Sequence, residues 1–306
     1  RELKLVNRSL YKTFARVFPF VTVVPGNYNY YFGSDSRIEL NARRWRARRI
    51  TTKYFRYDTL NYILWPDKLA YVGKAVSFEA STPVNRRLAP ITYYLGLLLW
   101  ASYFSDGLKE FFYAAAARSA ADILFALICI AVFLKSLSWR RPKLKLPLAV
   151  MLLGFCGMCG QLVVIYAFQA LYGYVYQTIG LLTALFMAGL SAGSYLMVRR
   201  APRDPERTIK LFIWSLMFFL PVLFFCLEIF PLPLASFLIA LPIGAIFPLA
   251  VKLRGTKGSV LYGADLAGGA LGAIVTTVFL LPLFGVPGVF AAGWLMAAAA
   301  LLIAYS

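Results

Sequence analysis

Five polar side chains lie in or near long apolar stretches of this chain, and they are the residues best placed to do chemistry there. They are Asp122, Gln161, Gln169, Glu228 and Asp265. An acid in hydrocarbon costs at least about 2.5 kcal/mol, so such groups usually face a protein interior or reach the headgroups. Asp265 follows a Gly-Ser turn early in a predicted helix, where the helix dipole favours a carboxylate. Gln161 and Asp265 are therefore the candidate residues of an interior polar site.

The cysteines offer a second possible chemistry. Cys156 and Cys159 form a C-x-x-C motif, and Cys129 and Cys226 also fall inside apolar stretches. A redox or metal site would need flanking polar groups or further ligands, and the chain contains no histidine. We therefore interpret the pair as small residues at a helix contact, and we predict no catalytic, metal or cofactor site in this chain.

These residues lie in a series of apolar stretches between Ser119 and Tyr305. A helix needs roughly 20 residues to cross a bilayer core, and 60% of the chain is hydrophobic against 15% charged, where soluble domains carry about 25%. The expected fold is mainly α, a polytopic transmembrane bundle of about seven spans. The predicted spans are 119–138, 148–170, 177–198, 211–230, 233–251, 259–281 and 286–305.

Small residues and prolines recur within these spans. Gly154, Gly157 and Gly160 are spaced by three, and G-x-x-x-G pairs occur at Gly189 and Gly193 and at Gly268 and Gly272. Such residues let helix backbones approach closely in lipid, so helix packing is the favoured interpretation. Prolines that bend spans fit either packing or a substrate path; they are Pro221, Pro242, Pro248 and Pro282.

The first 118 residues are different, with 19 Lys or Arg against 8 acids and no apolar run long enough to span. Glu2 to Phe18 has helical periodicity, and Phe20 to Val24 and Tyr30 to Phe32 are β-prone runs separated by a turn. This order predicts the closing edge of an α/β Rossmann-like domain. We divide the chain into that edge (1–36), a basic helical connecting region (37–118) and a transmembrane helical domain (119–306).

An arginine-rich segment extends from Arg37 to Arg56, with five arginines around Trp45. A nucleic-acid patch would look similar, but no RNA-binding signature accompanies it. Because apolar spans follow, we predict a segment that lies against anionic lipid headgroups or is solvated, with the lipid bilayer and not nucleic acid as partner.

Several short motifs resemble a known family. Asn7-Arg8-Ser9-Leu10-Tyr11, Val24-Pro25-Gly26-Asn27-Tyr28-Asn29 and Ser34-Asp35 resemble the end of the synthase domain of bacterial membrane-fused spermidine synthase-like proteins. The spans carry further matches in the same order. They are Ala167 to Tyr176, Phe186-Met187-Ala188-Gly189-Leu190, Phe247-Pro248-Leu249-Ala250 and Leu261-Tyr262-Gly263-Ala264-Asp265-Leu266.

The resemblance implies a parent protein with a Rossmann-like aminopropyltransferase domain joined to major-facilitator-like helices in the bacterial inner membrane. Such an enzyme transfers an aminopropyl group from decarboxylated S-adenosylmethionine to a diamine. In the family its glycine-rich and acidic motifs lie upstream of the part matched here, and no G-x-G-x-x-G occurs in this chain. Because the chain starts at Arg1 inside a helical pattern, we expect a C-terminal portion that lacks the catalytic core. The family often has Glu where this sequence has Gln161, which puts any role for a charge there in doubt.

The loops raise a question of topology. Basic residues concentrate in the loops Arg140 to Lys145, Arg199 to Lys210 and Lys252 to Lys257, which the positive-inside rule places in the cytoplasm. A full crossing by 119–138 would then put the N-terminal region outside, whereas a synthase domain would be expected inside. Either this segment does not fully cross, or Ile91 to Phe104 also enters the membrane.

Two functions remain open from the sequence. In the first, the chain is the membrane part of a polyamine synthase-like protein and is itself inactive as an enzyme. In the second, it is a transporter or a bundle that binds a small molecule.

Overall fold

The computed structural model describes residues 2–26, 28–48, 53, 57–173, 176–253 and 257–305. Within them the chain is mainly helical, with one two-stranded sheet. Its internal contacts define two units. The first comprises Arg1–Arg86 and Pro90–Tyr113, and the second comprises Arg87–Ala89 and Ala114–Ser306.

The first unit begins with the predicted helix and strands. Helix α1 (Glu2–Ala15) precedes strands β1 (Phe20–Val24) and β2 (Tyr30–Ser34), which pair antiparallel with Phe20 opposite Ser34. The predicted order of helix, strand, turn and strand is confirmed, and β2 continues two residues beyond Phe32. The described residues contain no strand besides these two, so the sheet is a small hairpin.

Five further helices follow β2, the last of which runs from the first unit into the second. They are α2 (Ala42–Ala47), α3 (Tyr57–Ile63), α4 (Pro66–Val76), α5 (Ile91–Phe104) and α6 (Asp106–Ala116). Hydrogen bonds join distant parts of the first unit: Lys12 Nζ donates to the carbonyls of Ala80 and Thr82 at 2.6 and 2.7 Å, and the Tyr94 hydroxyl donates to Phe112 O at 2.6 Å. At 14 residues, α5 is shorter than a full span.

The second unit holds the membrane helices. Six helical segments of the described chain are long and apolar enough to cross a membrane. They comprise α7 (Ala120–Arg140), a 3-10 turn (Pro142–Leu144) with α8 (Lys145–Tyr172), α9 (Tyr176–Arg200), α10 (Pro205–Phe225), α11 (Leu232–Lys252), and one run made of α12 (Gly258–Val275), a π-helical segment (Thr276–Phe284) and α13 (Gly285–Ala304). The predicted spans 259–281 and 286–305 thus lie in one run of 47 residues.

N-terminal caps explain where two of the helices begin. At α7, Ser119 and Asp122 form a reciprocal capping box, in which the Ser119 N–H donates to Asp122 Oδ2 at 2.8 Å. At α10, the Asp204 side chain accepts from the Arg207 N–H and Pro205 opens the helix, so α10 begins six residues before the predicted 211. Asp122 is therefore an exposed helix cap and not an interior polar group.

The core lies around α8 and α11. In their most apolar windows 61% and 67% of residues are buried, whereas α7 buries only Leu127 and Ser138. Leu216, Ile239 and Ala297 from α10, α11 and α13 are fully enclosed in the same core. Helices α8 and α11 are therefore central, and α7 lies at the edge.

Glycines set the closest helix contacts. A Cβ on Gly193 of α9 would collide with the Leu241 carbonyl of α11, and one on Gly244 of α11 would collide with Leu190 of α9. A Cβ on Gly272 of α12 would lie 2.7 Å from the Phe155 carbonyl oxygen of α8. The packing interpretation of both G-x-x-x-G pairs is confirmed, because no larger residue fits at these backbone contacts.

Replacing Gly268 with alanine is expected to lower the free energy of unfolding by about 1–3 kcal/mol, the usual cost of overpacking. Its new methyl group would collide with the Met151 carbonyl, and α8 and α12 would have to separate. Gly269→Ala is the matched control, because a Cβ there meets no heavy atom within 4 Å. Unfolding in detergent micelles measures both variants, and equal destabilisation would contradict the packing account.

Candidate functional site

A cavity of about 540 Å³ lies among α8, α9, α11 and α12. Its walls are mostly apolar, but five polar side chains also line it: Ser191, Ser194 and Tyr195 of α9 and Tyr262 and Asp265 of α12. Its volume falls within the range of small-molecule pockets, about 300–1,000 Å³, and apolar walls with a few polar groups are typical of such pockets.

Asp265 is the charged residue of this cavity. It is half-buried, and among the described residues none forms a hydrogen bond or ion pair with its carboxylate. Gly154 makes room for it, since a Cβ on Gly154 would lie 2.8 Å from Asp265 Oδ1 and 2.6 Å from its carbonyl oxygen. The contact between α8 and α12 therefore places an unpaired acid against an open space.

The polar residues of α9 share one face. Ser191, Ser194 and Tyr195 are three and four residues apart, so they lie on one side of the helix. Hydroxyl groups both donate and accept hydrogen bonds, and a carboxylate in a low dielectric attracts a cation more strongly than in water. The arrangement suits an ammonium group with further polar atoms. These α9 residues are not among the predicted site residues, although their spacing of three and four residues indicates a polar face on a helix.

Gln161 has a different environment. It is 4% exposed, its Nε2 donates to Leu182 O at 3.3 Å, and its Oε1 accepts from the Ser236 hydroxyl at 2.8 Å. The side chain thus joins α8 to α9 and α11. It does not line the cavity. It lies seven residues beyond Gly154, the α8 residue next to Asp265, which is about 10 Å along the helix axis. The two predicted site residues are therefore not in one site.

The C-x-x-C cysteines lie in the core. Cys156 and Cys159 are both buried and unbridged, and Cys159 Sγ lies 3.0 Å from Thr276 Oγ1. A Cβ on Gly293 of α13 would lie 3.8 Å from Cys156 Sγ and from Cys159 Cβ. The described residues include no cluster of metal-ligating side chains. The pair therefore occupies the contact of α8 with α13 and the π-helical segment.

The remaining intramembrane candidates lie at one end of the bundle. Gln169 is exposed, and Glu228 forms an ion pair with Arg87 at 3.7 Å. Arg87 Nε also donates to Ala170 O at 3.2 Å, and the Tyr166 hydroxyl donates to Arg87 O at 2.7 Å. Sequence analysis missed this role of Arg87, because nothing in its sequence context relates it to residues 79 to 141 positions away.

The arginine-rich segment is described only in part. Arg44 pairs with Glu39 at 2.6 Å, and Arg43 and Arg48 are exposed. The segment from Arg49 to Arg56 lies outside the described residues apart from Lys53. Its predicted contact with anionic headgroups stays a prediction.

Comparison with protein-family models, curated proteins and solved structures finds no match for this chain. By length and composition, the six apolar helical segments indicate a multi-pass membrane protein. The similarity to spermidine synthase-like proteins rests on the sequence motifs alone.

Proposed function

We propose that the chain crosses the bacterial inner membrane seven times, with its basic loops in the cytoplasm. The run Gly258–Ala304 supports two crossings in place of one. Thr276 and Gly293 both lie next to Cys159, although 17 residues of straight helix would separate them by about 25 Å. Gly285, with φ +68°, provides the backbone conformation for a reversal between them.

Residues 87–89 support an assignment of sides. They belong to the membrane unit and contact the bundle at Ala170, Glu228 and Val286, whose N–H donates to Leu88 O at 2.8 Å. The loops near Ala170, Glu228 and Val286 carry no basic residue of their own. Lys143 and Lys145, which follow α7, and Lys210, near the start of α10, line one cavity elsewhere in the bundle. The proposal therefore places residues 87–89 on the side opposite the basic loops, with α7 as a full crossing.

Reporter fusions test this topology. A fusion at Ser77 is expected on the same side as one at Pro231 and on the opposite side from one at Pro202. Alkaline phosphatase activity marks the outer side, and green fluorescence marks the cytoplasmic side. Finding Ser77 and Pro202 on the same side would exclude seven crossings with this orientation.

The first proposed role is that of the membrane part of a spermidine synthase-like protein. Its support is the ordered series of family motifs from Asn7 to Leu266, which covers both units of the chain. The chain contains no glycine-rich nucleotide motif, so aminopropyl transfer is assigned to sequence that it does not contain. In this role the helices anchor the enzyme, and decarboxylated S-adenosylmethionine is a co-substrate of the parent protein and not of this chain. A cytoplasmic synthase domain requires that α7 does not cross fully, so fusions at Ser77 and Pro202 on the same side would favour this role over the seven-crossing topology.

Purified residues 1–306 are expected to form no spermidine from decarboxylated S-adenosylmethionine and putrescine, because the nucleoside and amine sites are absent. Product formation is measured by mass spectrometry in detergent. An authentic spermidine synthase in the same detergent controls for inhibition by the medium. Transfer above the buffer background would overturn the assignment.

The second proposed role is supported by the geometry of the bundle: the cavity binds a small cationic amine. The observation that carries it is the carboxylate of Asp265, unpaired among the described residues, in a mostly apolar cavity with four hydroxyl-bearing side chains. An acid held inside membrane helices without a protein partner marks a site for a cation. A polyamine is the substrate class that joins this role to the first, since the same molecule would be substrate or product of the parent enzyme.

Asp265→Asn is expected to weaken putrescine binding by about ten- to hundredfold, because a hydrogen bond to a charged group contributes about 1.5–3 kcal/mol. Scintillation proximity with labelled putrescine on the solubilised protein measures it. Asp122→Asn is the matched control, since it removes an exposed carboxylate from α7 while leaving the cap oxygen. Absence of putrescine binding in the unmodified chain, or equal loss in both variants, would exclude this role.

A further inference from the structure

A second cavity, of about 360 Å³, lies among α8, α10, α11 and α13. Its polar side carries Lys143, Lys145 and Lys210. Its apolar side is formed by residues that include Val150, Leu153 and Ile209, each less than 5% exposed. The cavity is thus amphipathic, with a cationic side and an apolar side.

The three lysines come from separate parts of the chain. Lys143 lies in the 3-10 turn, Lys145 opens α8, and Lys210 lies in the second turn of α10. Tertiary packing is therefore what brings the three positive charges to one cavity. Their shared position indicates a built arrangement and not a run of adjacent surface charges.

The charges are not neutralised within the described chain. None of the three lysines forms an ion pair with a described residue, and Lys145 and Lys210 are half-buried. The Lys210 ammonium lies 4.4 Å from the ring centroid of Tyr305, which does not remove its charge. Glu206 is the one acid that lines the cavity, and it is exposed. The cavity therefore has a formal excess of two positive charges.

The chemistry of the two sides of the cavity indicates which kind of anion would fit it. Ammonium groups bind phosphate as point charges, and basic pockets between membrane helices on the cytoplasmic side suit anionic headgroups. A free inorganic ion would leave the apolar side in contact with water, whereas the acyl chain of a lipid would cover it. An amphiphile matches both sides, whereas a small soluble anion matches only one.

We propose that this cavity binds a phosphate-bearing anion supplied by an anionic phospholipid. Lys145 and Lys210 hold the phosphate, and Val150 and Leu153 contact the first part of an acyl chain. This site does not depend on the role of Asp265, because Asp265 lines only the other cavity, although the two cavities share Val150, Leu153 and Ile246.

The test titrates the solubilised full chain with short-chain phosphatidylglycerol, with phosphatidylcholine and with inorganic phosphate, in the same neutral detergent. Binding is measured by thermal shift and by native mass spectrometry. The variant Lys145→Gln/Lys210→Gln is expected to bind phosphatidylglycerol about thirtyfold more weakly, the effect of two lysines near a lipid headgroup. Arg199→Gln/Lys252→Gln is the matched control, because it removes the same charge from the basic ends of α9 and α11 without touching the cavity.

The possible results separate the alternatives. Loss confined to the cavity variant, with binding retained in Lys145→Arg/Lys210→Arg, supports the site and shows that the fold is intact. Equal loss in the cavity variant and the matched control overturns it, because general surface charge would then explain binding. Phosphatidylcholine binding as strongly as phosphatidylglycerol also overturns it. Inorganic phosphate binding without phosphatidylglycerol would keep an anion site but overturn its assignment to lipid.

Discussion

The close approach of helix backbones is the constraint on which the rest of the membrane unit depends. Lipid gives no hydrophobic drive for two apolar helices to associate, so van der Waals packing over small residues must hold them together. In this chain α9 lies on α11 through Gly193 and Gly244, and α12 lies on α8 through Gly268. These two tight pairs form the walls of the cavity that Asp265 lines.

Buried polar groups in the bundle fall into two kinds, according to whether the protein satisfies them. Gln161 forms a hydrogen bond at both ends of its amide, to Leu182 and to Ser236, so it contributes to helix association. Asp265 has no such partner among the described residues and borders open space. Sequence places both residues in similar apolar surroundings, yet the protein satisfies the amide of the first and leaves the carboxylate of the second without a described partner.

The bundle also has two chemically different ends. At one end, Arg87 forms an ion pair with Glu228 after α10 and donates to Ala170 O of α8, and Leu88 O accepts from the Val286 N–H of α13, next to the reversal at Gly285. At the other, three lysines from separate elements converge on an amphipathic cavity that a single acid, Glu206, also lines. Such an asymmetry agrees with the proposed orientation, in which the lysines face the more anionic cytoplasmic leaflet.

Sequence alone determined the helices and their packing residues, because hydropathy, length and glycine spacing are local properties. It predicted the α1, β1 and β2 order and the apolar segments, and it identified Gly189, Gly193, Gly268 and Gly272 as contact positions. It misplaced the start of α10 by six residues, since the Asp204 cap and Pro205 lie outside the apolar run on which the prediction relied. The resemblance to a synthase family rests on short sequence motifs alone.

Tertiary structure decided which polar residues can act. Gln161 and Asp265 were predicted as one site, but about 10 Å of α8 separates their surroundings, because hydrophobic patterns report depth in the membrane and not the neighbour across a helix contact. Ser191 and Ser194 joined the site only when α9 packed beside α11 and α12. Lys143, Lys145 and Lys210 likewise became one group through folding. Distances between residues far apart in sequence depend on packing geometry, and that geometry is set by the sum of many weak contacts that no short motif records.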